Sequence, residues 1–96
     1  MQAVIRTYSG KGARELFDVL EKNVAEVTDV IRSVKGFVSY TLARTESGGF
    51  SVTVCQDKVG IDESVQKAKD WIAKNAGNTG VGAPQVTDGA VIIQLK

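Results

Sequence analysis

The chain has no histidine, a single cysteine, a single proline and almost no excess of either charge. Without histidine it cannot build a Ser-His-Asp triad, a Cys-His pair, a histidine-ligated haem or a His-based zinc site. Cys55 alone can close no internal disulfide, and no CxxC pair is present to hold a metal or run thiol exchange, so stability has to come from packing. With 12 basic and 11 acidic residues, the formal charge of +1 makes no strong field for a polyanion, and no nucleic-acid partner is expected. Met1 is followed by polar-apolar alternation instead of a basic stretch and a continuous apolar run. Neither a signal peptide nor a membrane span is therefore expected, and a cytoplasmic location is. No motif calls for a cofactor, and none is expected.

The 96 residues suit one domain, 1–96. Gln2 to Tyr8 alternates as a strand, with Ala3, Ile5 and Thr7 on one side and Val4, Arg6 and Tyr8 on the other. From Ala13 to Ser33, Leu16, Phe17, Leu20, Val24, Val27 and Ile31 advance by threes and fours, the stripe of one long helix, and Gly36 suits its left-handed cap. Phe37 to Arg44 and Phe50 to Gln56 are rich in β-branched and aromatic residues around Glu46-Ser47-Gly48-Gly49, which predicts a hairpin. Asp62 is the expected N-cap of a second helix with Ile61, Val65, Ala68, Ile72 and Ala76 on its buried side. Residues 78–89 read as a loop and the apolar stretch 90–95 as the last strand. The expected elements are thus strands near 2–8, 37–45, 49–56 and 90–95, and helices near 13–33 and 62–76.

The order β-α-β-β-α-β is that of a ferredoxin-like α+β sandwich, two helices on one face of a four-stranded antiparallel sheet. Apolar residues fall on both sides of the strands, as at Val4 and Ile5 or Ile92 and Ile93, so the uncovered face is expected to close a homodimer through the two sheets.

Several short motifs have bland explanations that outweigh the functional ones. Gly10-Lys11-Gly12 lies where phosphate loops lie, but Glu15 takes the place of the third glycine, and an ordinary strand-to-helix turn uses the same residues. Gly48-Gly49-Phe50-Ser51-Val52 starts like an RNA-recognition motif, yet Ser51, Thr53 and Cys55 add no stacking aromatics, and Phe50 reads as core. Trp71 reads as an anchor at the core edge. Lys67, Lys69 and Lys74, interleaved with Glu63 and Asp70, read as a solvated helix face.

Arg6 and Tyr8 are the more informative pair. If Ala3 and Ile5 pack under the helices, Arg6 and Tyr8 look into the face that a dimer encloses, where a buried guanidinium needs an anionic partner. The alternative is an ion pair at the sheet end with Glu46, Asp57 or a partner carboxylate. If one face lines a cavity, Arg6, Tyr8, Ser39, Thr41, Thr53 and Cys55 are its candidate polar groups, a set suited to a small, partly apolar ligand. The competing possibility is that the hydroxyls bond across strands and Cys55 is simply a small buried residue.

The run Gly36-Phe37-Val38-Ser39-Tyr40-Thr41-Leu42, the hairpin into Phe50-Ser51-Val52-Thr53-Val54 and the Gln56-Asp57 step into the next helix resemble the dimeric α+β barrel superfamily. Within it they are most similar to the antibiotic-biosynthesis-monooxygenase-like domains, in an uncharacterised bacterial branch. The resemblance implies a homodimer with a cavity, and either ligand binding, cofactor-independent monooxygenation of a quinol or phenol, or a purely structural role. It does not extend to the haem-degrading branch, whose histidine ligand is missing, and Gln56 stands where those domains often carry tryptophan.

Overall fold

In the computed structural model, which describes residues 1–95, strand β1 (Gln2–Ser9) is followed by helices α1 (Ala13–Lys22) and α2 (Val24–Arg32). The hairpin β2 (Phe37–Thr45) and β3 (Gly48–Cys55), helix α3 (Lys58–Asn75) and strand β4 (Gln85–Ala90) complete the order. The strands form one antiparallel sheet, β2-β3-β1-β4, with the helices on one face, which is the ferredoxin-like α+β fold.

Three elements differ from the sequence expectation. The helix expected over 13–33 is broken at Asn23, whose backbone leaves the helical region and whose Nδ2 donates to the Val19 carbonyl at 2.8 Å. The asparagine side chain offers that carbonyl a partner in place of the helical ladder, while the apolar spacing continues undisturbed across the break. Helix α3 starts before Asp62: Asp57 is the N-cap, its Oδ1 accepting from the Gly60 amide at 3.1 Å. The last strand is Gln85–Ala90, and residues 91–95 form no strand in the protomer. Its sequence, Gln-Val-Thr-Asp-Gly-Ala, is polar because it is an exposed edge paired only to β1, and polar edges resist further pairing.

The register sorts the side chains. Val4, Arg6 and Tyr8 share the helix-covered face with Ser51 and Thr53, which stand opposite Arg6 and Val4, and with Leu42 and Tyr40 across on β2. Under the helices, Tyr8, Leu16, Phe17, Leu20 and Trp71 form one apolar cluster, and Val4, Val34, Cys55 and Ile61 a second. Gly49 must be glycine, because a methyl there would overlap the Phe17 ring and the Ala43 carbonyl. Phe50, expected in the core, is only half-buried and lies on the other face with Ala3, Ile5, Ala43, Val52 and Val54. The chain end crosses that face: the Val91 amide donates to the Met1 carbonyl, and Gln94 Nε2 to Ser39 Oγ at 3.3 Å on the far edge strand. Ile92, Ile93 and Leu95 nonetheless remain 94%, 73% and 84% exposed.

Candidate functional site

On its helix-covered face β3 presents only Gly49, Ser51, Thr53 and Cys55. Side chains this small cannot fill the space beneath the helices, so the sheet and helix layers part around Arg6 and Tyr8 on the neighbouring strand. Two cavities meet there. A chamber of about 30 Å³ is walled by Arg6, Tyr8, Tyr40 and Ser51 from the sheet, Val30 and Ile31 from α2, and Trp71 from α3. A larger cavity of about 430 Å³ shares Arg6, Tyr8 and Ile72 with it and runs past Val65 and Ala76 to Val81, Pro84 and Val86. Lys69 lies at its edge and is exposed. Trp71 is held in place by its indole N–H, which donates to Glu26 Oε1 at 3.0 Å and so ties α3 to α2.

Arg6 is only 5% exposed and takes part in none of the ion pairs among the described residues. A buried guanidinium ordinarily has a carboxylate, because taking a charge out of water costs several kcal/mol. Here its neighbours are the phenols of Tyr8 and Tyr40 and the Ser51 hydroxyl. Burial pushes both phenols above their ordinary pKa, and the nearby Arg6 cation opposes the rise without cancelling it, so both stay protonated hydrogen-bond donors. Ser51 Oγ is buried with no aligned partner among the described residues, although Tyr40 lies beside it. Among the described residues, no aspartate or glutamate lines either cavity. The site is a cluster of donors around a cation, with apolar walls.

Of the sequence candidates, the structure brings together Arg6 and Tyr8, on the helix side and not on the face that a dimer would enclose. Neither Glu46 nor Asp57 pairs with Arg6. Thr53 is on the same side, fully buried with an unpartnered Oγ1, but outside the walls of these cavities. Cys55 is packed with Val4, Val34 and Ile61, and its thiol pKa is raised by burial and then by the Asp57 and Glu63 carboxylates, the environment of an inert thiol. Ser39 and Thr41 belong to the opposite face, opposite Val54 and Val52. Sequence reasoning missed Tyr40 and Ser51. Alternation along β3 puts Ser51 on the same face as the candidate Thr53, whereas Tyr40 is identified only by the register, as the β2 partner of Thr53.

No protein-family model matches the chain, and no curated protein sequence does. Its fold is shared by solved structures at low identity. A haem degrader of Mycobacterium tuberculosis, solved with two haems in its active site, superposes with a TM-score of 0.67 at 17% identity over 100% of both chains. A cofactor-independent oxygenase from Streptomyces nogalater gives 0.65 at 16% identity, covering 98% of this chain and 95% of that one. A dimeric ferredoxin-like protein from an uncultured marine organism gives 0.63 at 12%, covering 99% and 95%.

Proposed function

Starting from a ferredoxin-like chain with the fold of the antibiotic-biosynthesis-monooxygenase-like proteins, we propose that it binds a small, partly apolar molecule in the cavity between sheet and helices. The observation that carries this is Arg6, a buried cation with no carboxylate partner among the described residues, standing where two apolar-walled cavities meet. Pockets of a few hundred Å³ with apolar walls and a few convergent polar groups are the usual form of small-molecule sites. The working unit is a homodimer closed by the bare sheet faces. Ile5 and the exposed Ile92, Ile93 and Leu95 support this, as each such side chain gains roughly 1.5–3 kcal/mol on full burial. The site itself lies on the other side of the sheet and is complete within one protomer.

A second possibility draws on the oxygenase neighbour. A cation beside a substrate phenolate stabilises the anion that gives electrons to dioxygen, with no cofactor needed. In such a step a ring C–H of the phenol becomes C=O to give a quinone, one oxygen atom entering the ring and the other leaving as water with that hydrogen and the phenol's. The haem chemistry of the other neighbour does not fit these residues, as there is no histidine, both tyrosines are held protonated, and Cys55 lies outside the cavity.

Thermal shift of the wild-type protein and of Arg6→Gln against a panel of phenols, quinols, alcohols and carboxylates tests the binding proposal. Saturable stabilisation of the wild type is expected, along with a weaker response of the variant to at least one class. An unshifted melting temperature throughout the panel would contradict it. Oxygen uptake with the phenols and quinols decides between binding alone and turnover.

A further inference from the structure

We infer that the occupant of this cavity is an amphiphilic carboxylate, its head held by Arg6, Tyr8, Tyr40 and Ser51 and its aliphatic body lying along the larger cavity; this rests on the binding function proposed above. Arg6 and Tyr8, where the two cavities meet, and Tyr40 and Ser51, in the chamber, each carry a hydrogen-bond donor. The guanidinium offers at least two N–H groups, and the two phenols and the serine one O–H each. A phenolate or alcohol oxygen cannot accept so many bonds. A carboxylate, with about four acceptor positions on two oxygens, can, and an arginine binds it with two parallel bonds.

Charge selects in the same direction. Among the described residues no acid lines either cavity and Arg6 is unpaired, and the other charged residue in the lining is Lys69 at the edge. An amine would meet repulsion, and a neutral alcohol would leave the buried cation uncompensated. Size and shape then fix the body. The chamber of about 30 Å³ has room for one small head, and the larger cavity of about 430 Å³ for a longer body. The larger cavity's walls beyond Arg6 and Tyr8 are aliphatic, with Val65, Ile72, Val81, Pro84 and Val86 and no aromatic surface to stack a flat ring.

Calorimetric titration of the intact protein with sodium decanoate, decanol, decylamine and sodium acetate, each below its aggregation threshold, tests this. Decanoate is expected to bind once per protomer, with decanol and decylamine at least tenfold weaker and acetate weak for want of a body. Arg6→Gln should weaken decanoate binding about 10- to 100-fold without weakening decanol, Arg6→Lys should recover part of the loss, and Ser51→Ala should cost a smaller factor. Binding should also move the tyrosine titration to higher pH, because an anion beside the phenols disfavours phenolate; a merely structural Arg6 would produce no such shift. Equal affinity for decanol and decanoate, or undiminished decanoate binding by Arg6→Gln, overturns the carboxylate assignment and leaves the cavity a binding site. Failure of all three decyl compounds to bind overturns the assignment and the binding function together.

Discussion

Replacing Arg6 by methionine should make the unliganded protein more stable. The side chain is 5% exposed on a sheet face covered by helices, and no carboxylate among the described residues offsets the cost of burying its charge. The retained penalty for a buried ion is several kcal/mol, and exchanging buried charged groups for apolar ones of similar volume has stabilised other proteins by about 1–4 kcal/mol. The phenols of Tyr8 and Tyr40 recover part of that cost here, so the lower end applies, about 1–2 kcal/mol. For a domain of this length each kcal/mol moves the melting temperature by about 4–8 °C, which puts the rise at roughly 5–15 °C. Circular-dichroism melts of wild type and Arg6→Met at one fixed protomer concentration measure it, since the midpoint of the proposed homodimer would depend on concentration. A fall of similar size would mean that Arg6 holds the scaffold together, and the functional assignment of the cavity would lose its basis. A rise would identify a residue kept at the expense of stability, as binding sites commonly require.

The protein's two tyrosines both belong to the site, so ultraviolet titration of phenolate reads the site alone. Both should ionise above the ordinary value of about 10 in the native state and near it in urea. Because their folded pKa values are raised, their contribution to stability is complete below about pH 10 and is lost as pH climbs through the folded values; a native phenol titrating below that would contradict the burial. Gly49→Ala, forcing a methyl against Phe17 and the Ala43 carbonyl, should destabilise by about 1–3 kcal/mol in urea unfolding, and a neutral result would contradict the tight contact of α1 on β3. Ile93→Asp should yield a folded monomer by light scattering and circular dichroism, since this side chain is exposed in the protomer; a persisting dimer would refute a role for the chain end in the interface.

Those elements whose hydrophobic period is set by packing against a neighbour were legible in the sequence. Strands β1, β2 and β3 lie where alternation placed them, and Gly36 adopts the left-handed conformation, φ 74°, expected after the first helical segment. Elements defined by backbone alone were not legible. Strand β4 is polar because it is an exposed edge, and of the apolar stretch that looked like a strand, 90–95, only Ala90 belongs to β4 while the rest crosses the bare sheet face. The break at Asn23 left no mark on the apolar spacing because α1 and α2 both face the sheet. In the site, Arg6 and Tyr8 stood out as polar groups on an otherwise apolar strand face, but which face met the helices could not be settled by a strand apolar on both sides. The choice of Ser39 and Thr41 over Tyr40 followed from that, since one residue's shift exchanges the two faces of a strand.

Entry of the ligand between the sheet and the helices beside Arg6 is tested most directly by intermolecular nuclear Overhauser effects from ¹³C-labelled decanoate to methyl-labelled protein. Contacts from the methylenes to Val65, Ile72, Val81 and Val86 are the predicted result. Contacts confined to Ile5, Val52, Ile92, Ile93 or Leu95, on the bare face and the chain end, would contradict it.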